Sequence, residues 1–193
     1  CGTLFPYTTL FRSMLKKGVQ PTFYSTGMVS TVRAVALAAL APQGKVDRSD
    51  IERFRRHVPE MSLFGKAMYL QAALAVEGTE AIRAEVADMI LAHTNQTGGK
   101  FIFSEQLDDG YTRILATPLR DNCAILSAFT AYGETEAGAP RVADVPFKLV
   151  RTITQTRGAR THWENTQENM FCMNALIDYS RVYESVAPNM QVK

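Results

Sequence analysis

What this chain lacks narrows it first. No uninterrupted apolar run exceeds eight residues, Ala34 to Ala41, well short of the roughly 18 needed to suggest a membrane-spanning helix. No basic block is longer than Lys16-Lys17, so the electrostatic footprint of a nucleic-acid binder is missing. There are 3 cysteines and 3 histidines in 193 residues, with neither a CxxC spacing nor a His/Cys cluster, so zinc has no support. Cys123 and Cys172 lie in apolar helical patterns and are expected to be buried free thiols that act as small hydrophobes. Single-sign charge is also absent. The chain outside residues 1–13 holds 20 basic against 19 acidic residues.

Residues 1–13 stand apart. Residues 3–13 (TLFPYTTLFRS) reproduce the translation of an adapter used in short-read DNA sequencing, so the segment reads as a cloning or assembly scar that carries Cys1 and is excluded from fold reasoning. Met14 need not then be a true start. The expected organisation is one partial domain over 14–188, with 189–193 leading into a following β-domain.

The strongest local signal is the stretch from Trp163 to Glu184. Asn165 is placed to cap a helix starting at Thr166, and Glu168 to reach back to the cap's own N–H. Phe171, Ala175, Leu176, Tyr179, Val182 and Tyr183 recur at helical spacing and predict a buried stripe. Earlier helices are expected over Gly27–Ala41 (face Val32, Val35, Ala36, Ala39, Leu40), from a capping box at Ser49–Glu52 to His57, over Leu63–Val76, and after a Thr79 cap. Gly27–Ala41 is apolar nearly all round, with only Arg33 marking a solvent side, and is expected to present the chain's open edge. Thr117-Pro118 predicts a helix to Gly133, and Asp144 one over 145–157. Between the Thr79-capped helix and Thr117-Pro118 the period changes to two. Phe101–Phe103 and Tyr111–Leu115 flank Asp109-Gly110, which predicts a β-hairpin over 101–115.

Ala39-Leu40, Ala73-Leu74, Ala128-Phe129 and Ala175-Leu176 each end an apolar run, and the gaps leave room for a more polar helix between them. This is the pattern of stacked helical hairpins, in which small residues let inner helices approach closely. The candidate chemistry is thin. Asp108-Asp109 has no third acid or His beside it and reads as a turn; Gln167 and Glu168 read as helix-start residues; His57, His93 and His162 are far apart. No catalytic, cofactor-binding or metal-binding residue is assigned.

Residues 60–74 (EMSLFGKAMYLQAAL), 103–129 (FSEQLDDGYTRILATPLRDNCAILSAF) and 163–169 (WENTQEN) together resemble, in order and spacing, the later part of the thioester domain of bacterial alpha-2-macroglobulins. The resemblance covers essentially 14–188. It implies a mainly α fold, a partial α/α toroid of stacked hairpins with one small inserted β-hairpin. It also implies membership of a large periplasmic or cell-envelope protein that traps proteases without being an enzyme and needs no cofactor. Its partners would be proteases, through the parent protein, and other domains of the same chain. In that family a Cys-to-Gln thioester, where present, lies in a C-x-E-Q motif early in the domain; neither Cys123 nor Cys172 supplies it. The alternatives are a toroid enzyme of terpene-cyclase or prenyltransferase type, which needs an acid or metal cluster at the inner helix ends, and a non-catalytic helical-repeat scaffold. Deleting residues 1–13 is expected to leave helicity intact and to change stability by less than about 1 kcal/mol in a thermal melt.

Overall fold

The computed structural model describes residues 25–185, so residues 1–13, read as a scar, and residues 189–193, expected to lead into a following domain, lie outside the described residues. Among the described residues there are eight α-helices: α1 (Thr26–Leu40), α2 (Arg48–Arg55), α3 (Leu63–Leu74), α4 (Glu80–Leu91), α5 (Pro118–Gly133), α6 (Ala139–Val142), α7 (Val145–Arg157) and α8 (Thr166–Tyr183). A two-stranded antiparallel sheet, β1 (Thr94–Thr97) and β2 (Lys100–Phe103), is inserted after α4. Among the described residues no helix is long and apolar enough to cross a membrane.

Four helices form a row, α1 packed on α3, α3 on α5, and α5 on α8. The contacts run in step from start to end. Ser62, which caps α3, meets Thr31 of α1; Arg120 near the start of α5 lies over Phe64 near the start of α3; and Arg120 also bonds Gln167 in the first turn of α8. Further along, Ser127 of α5 donates to Asp178 of α8. The four helices are therefore parallel, and the intervening segments must carry the chain back. Among these, α4 packs on α3 and α7 on α5.

Small residues set the spacing of the row. Ala73, Ala128 and Ala175 have no exposed surface. A Cβ on Gly65 of α3 would lie 2.7 Å from Thr31 Oγ1 of α1, so this contact requires glycine. α3 is buried almost all round, as a helix with neighbours on every side must be. Tyr69 of α3 also donates its phenolic O–H to the Ile51 carbonyl, tying α2 onto the row, and burial pushes that phenol's pKa up.

Several local expectations need correction. The hairpin lies at 94–103, not 101–115. Gly98 and Gly99, both with positive φ, make the turn, while Asp109–Ile114 forms a 3-10 helix capped by Asp108. Asp109-Gly110 is a turn signal, but Gly110 donates back to Asp108 Oδ1 and winds the chain locally, leaving Tyr111 without a strand partner. The cap of α2 is Asp47, in a reciprocal box with Asp50, not Ser49. Thr79 precedes α4 as expected, yet its hydroxyl donates to Ala73 O and Val76 O and does not cap. Asp144 likewise makes no cap bond and pairs with Lys148. Asn165 caps α8, but Glu168 accepts from the Glu164 N–H, one residue beyond the expected partner. The buried stripe of α8 runs through Glu168, Cys172, Ala175 and Tyr179, and Tyr183 is exposed.

The largest correction concerns the thiols. Cys123 and Cys172 are both fully buried but joined in a disulfide with Cα atoms 4.8 Å apart. The close approach of α5 and α8 brings two residues 49 apart in sequence within bridging distance. Large exposed apolar side chains include Met170, Met173 and Ile177 on α8, and none is on α1.

Two outcomes follow from this packing. Ala128→Leu or Ala175→Leu should each cost about 1–3 kcal/mol through overpacking, read from urea midpoints. Replacing Cys123 and Cys172 together by Ala should cost about 4 kcal/mol, the loop-closure entropy of a bridge spanning this separation, in the same assay.

Candidate functional site

The starts of α3, α5 and α8 meet at one end of the row, and the segment from Ser104 to Thr117 lies across it. A helix start presents unpaired amide donors and a partial positive charge that favours carboxylates nearby. Glu105 answers the first need directly. Its Oε1 accepts from the Leu63 N–H at 2.7 Å, on the first residue of α3. Ser62 and Thr117 cap α3 and α5 with their hydroxyls, and Asn165 caps α8 with its amide oxygen.

Arg120 is the hub of this end. It is only 2% exposed, and a buried guanidinium must place its five donors. Nε and Nη2 donate to Asp121 Oδ1 at 2.9 and 2.8 Å. Nη1 donates to the carbonyls of Ile114 and Leu115 and to Gln167 Oε1, at 3.0, 3.3 and 3.1 Å. The guanidinium carbon sits 4.1 Å from the centre of the Phe64 ring, in cation–π geometry. One side chain thus joins α3, α5, α8 and the 3-10 segment. Leu115 takes a left-handed conformation, φ 55°, which turns its carbonyl to Arg120 and leaves its side chain exposed.

The surrounding charges are perturbed by burial. Asp121 is pushed above its ordinary carboxylate value by desolvation, against the attraction of Arg120. Glu105 is raised by desolvation, with the Leu63 amide opposing it, Asp121 adding to it, and Lys66 and Arg120 reducing it. Desolvation lowers the Lys66 ammonium, which donates to the Met61 carbonyl. Beside them lies a cleft of about 230 Å³ whose lining includes Leu63, Phe103, Glu105, Asp108, Asp109, Thr112 and Asp121.

The residues weighed in the sequence fall out as follows. Asp108 caps the 3-10 helix and lines the cleft with Asp109, but among the described residues no group of three or more His, Cys, Asp or Glu could hold a metal. Gln167 serves Arg120. Glu168 is buried and holds the Glu164 N–H. His57 stays beside Phe54 after α2, His93 sits between α4 and β1, and His162 turns to the Trp163 carbonyl. Trp163 anchors the entry to α8: it is 2% exposed, its backbone N–H donates to Asn169 Oδ1, and the Asn169 side-chain amide donates back to the Trp163 carbonyl.

Sequence reasoning passed over Arg120, Asp121, Glu105 and Lys66. The available signal was Leu119-Arg120-Asp121-Asn122 directly after a Thr-Pro helix start, charges at positions where the later residues of the same helix are apolar. Asn122 is buried as well, accepting from the Phe103 N–H and donating to the Phe103 carbonyl at 2.8 and 2.9 Å; it fastens β2 to α5.

Arg120→Met should be costly, about 3–5 kcal/mol, because it strands Asp121 as a buried unpaired charge. The double variant Arg120→Met/Asp121→Asn should recover much of that loss in equilibrium unfolding. The raised carboxyl of Glu105 fixes the sign of a pH effect. Folding then favours the protonated form, so its contribution is fully present below the unfolded carboxylate value and is lost as pH rises through the folded one. Glu105→Gln should flatten this part of the stability–pH profile while keeping the Leu63 N–H satisfied; Glu105→Ala should flatten it and also lower stability.

Comparison of the chain with protein families, with curated proteins and with solved structures found no match.

Proposed function

We propose that the chain is part of an α/α toroid of the thioester type from a bacterial alpha-2-macroglobulin, a non-enzymatic contributor to protease capture at the cell envelope. The observation that carries this reading is the parallel row α1–α3–α5–α8 with α4 and α7 packed alongside, since a toroid is such a row of inner helices bent into a ring. The ring closure itself belongs to the proposal. A second observation bears on compartment. The Cys123–Cys172 bridge suits an oxidising environment such as the periplasm.

On this reading the chain provides no acyl chemistry. The two helix cysteines are bonded to each other, and Gln167 holds Arg120. Its role is to form part of a rigid body that moves as a unit when the parent protein is cleaved by its target. Proteases and other domains of the parent are then its partners. The buried charges at the row's end favour this reading over the cyclase-like alternative: Asp121 and Glu105 are already committed to Arg120 and Leu63.

The test is made on the longer protein encoded by the surrounding reading frame. After incubation with trypsin, a trap leaves the bound protease active on a small chromogenic peptide and inactive on a large protein substrate. Equal activity on both would overturn the proposal. The 193-residue chain alone should gain no mass with methylamine; a mass gain abolished by replacing Cys123 or Cys172 would contradict the account of its thiols.

A further inference from the structure

A cavity of about 370 Å³ lies between the hairpin and α7. Its lining includes Gln96, Gly99 and Lys100 from the hairpin and Lys148, Arg151 and Thr152 from α7. The three α7 residues are spaced i, i+3 and i+4, so they share one helix face, and α7 packs against β2. Every ionisable side chain in this lining is a cation, and among the described residues no carboxylate joins them. Lys148 has a counter-charge, Asp144 at 2.7 Å, and its ammonium lies 5.6 Å from the centre of the Phe101 ring. Lys100 and Arg151 make no ion pair among the described residues.

Thr152 adds a buried donor. It is 6% exposed, and its Oγ1 accepts from the Phe101 N–H at 3.2 Å. Its hydroxyl proton has no acceptor among the described residues, whereas the other two threonines of α7, Thr154 and Thr156, both donate back to helix carbonyls. A buried hydroxyl ordinarily finds an acceptor, and this one lines the cavity.

We propose that the cavity binds a phosphate group carried as a phosphomonoester. Such a group brings a charge of about −2 and three acceptor oxygens, which answers converging cations and an unused hydroxyl donor better than a singly charged carboxylate does. Arg151 supplies a planar fork suited to two phosphate oxygens, and the lysines supply point charges. The Gly98-Gly99 turn leaves room for the rest of the ester, since a Cβ on either glycine would meet nothing within 4 Å. The site is separate from the Arg120 cluster and from the protease-trap reading, and either can fail without the other.

Isothermal titration of the whole chain with glycerol phosphate, at constant ionic strength in a phosphate-free buffer, should show saturable binding about tenfold or more tighter than that of acetate. Lys100→Gln/Arg151→Gln, both at exposed positions, should weaken it by about tenfold or more without lowering the melting temperature of the unliganded chain. Co-sedimentation with phosphatidylcholine vesicles containing phosphatidic acid separates two sources of the same group. Vesicle binding that the double variant loses identifies a lipid headgroup, and binding of glycerol phosphate without vesicle binding identifies a soluble ester. No saturable binding of glycerol phosphate, acetate bound equally well, or full binding by the double variant would each overturn the proposal.

Discussion

A buried guanidinium has to be satisfied completely or not be there, and Arg120 is satisfied by four separate parts of the chain. Its partners are a carboxylate on its own helix, two carbonyls of the 3-10 segment, the Gln167 amide of α8 and the Phe64 ring of α3. Only one relative placement of α3, α5 and α8 meets all of these at once. The apolar row alone does not impose it, since Ala- and Leu-rich helices can slide along one another with little change in buried area. Arg120 therefore fixes the longitudinal register of helices whose lateral spacing is fixed by alanines and Gly65. Such a network stabilises less than an apolar substitute of the same shape would, but breaking it in part is expensive.

The disulfide acts at the same interface from further along. Cys123 lies one turn beyond Arg120, and Cys172 just over one turn beyond Gln167, so the covalent link and the polar link clamp the same pair of helices. Between them they make α5 and α8 one unit. Asn122 adds the hairpin by holding both backbone groups of Phe103. Trp163, locked to Asn169, sets where the chain enters α8. The WENTQEN stretch is thus an entry device throughout: a buried anchor, a cap, a register contact and a clamp.

Most of the helices were legible in the sequence because each has a local cause: Thr117-Pro118 before α5, Asn165 before α8, the apolar run of Leu63–Val76 for α3. The Ala-Leu pairs foretold an inner row with more polar helices between. What was not legible depended on residues distant in sequence. The strand partner of Phe101–Phe103 is Thr94–Thr97, four polar residues with no β-pattern of their own, paired because the Gly98-Gly99 turn returns the chain. Asp109-Gly110 carried the stronger turn signal and was consumed by a 3-10 helix. The disulfide could not be read from a spacing, because it is set by how closely α5 approaches α8. The Arg120 cluster was hidden for the same reason: its partners lie 1 to 47 residues away, and an Arg-Asp pair in a helix's first turn ordinarily faces solvent.

A row of parallel helices, pinned at its starting end and spaced by small residues, is expected to behave as one cooperative unit. If that is the organising principle, stability should not be spread evenly over the molecule. Native-state hydrogen exchange tests this most directly. The account predicts that amides of α3, α5 and the core-facing side of α8 exchange slowest and with one shared opening free energy, while α2, α4 and α7 open earlier by themselves. If α5 and α8 open at different free energies, or the outer helices exchange as slowly as the row, the inner row is not the cooperative unit described.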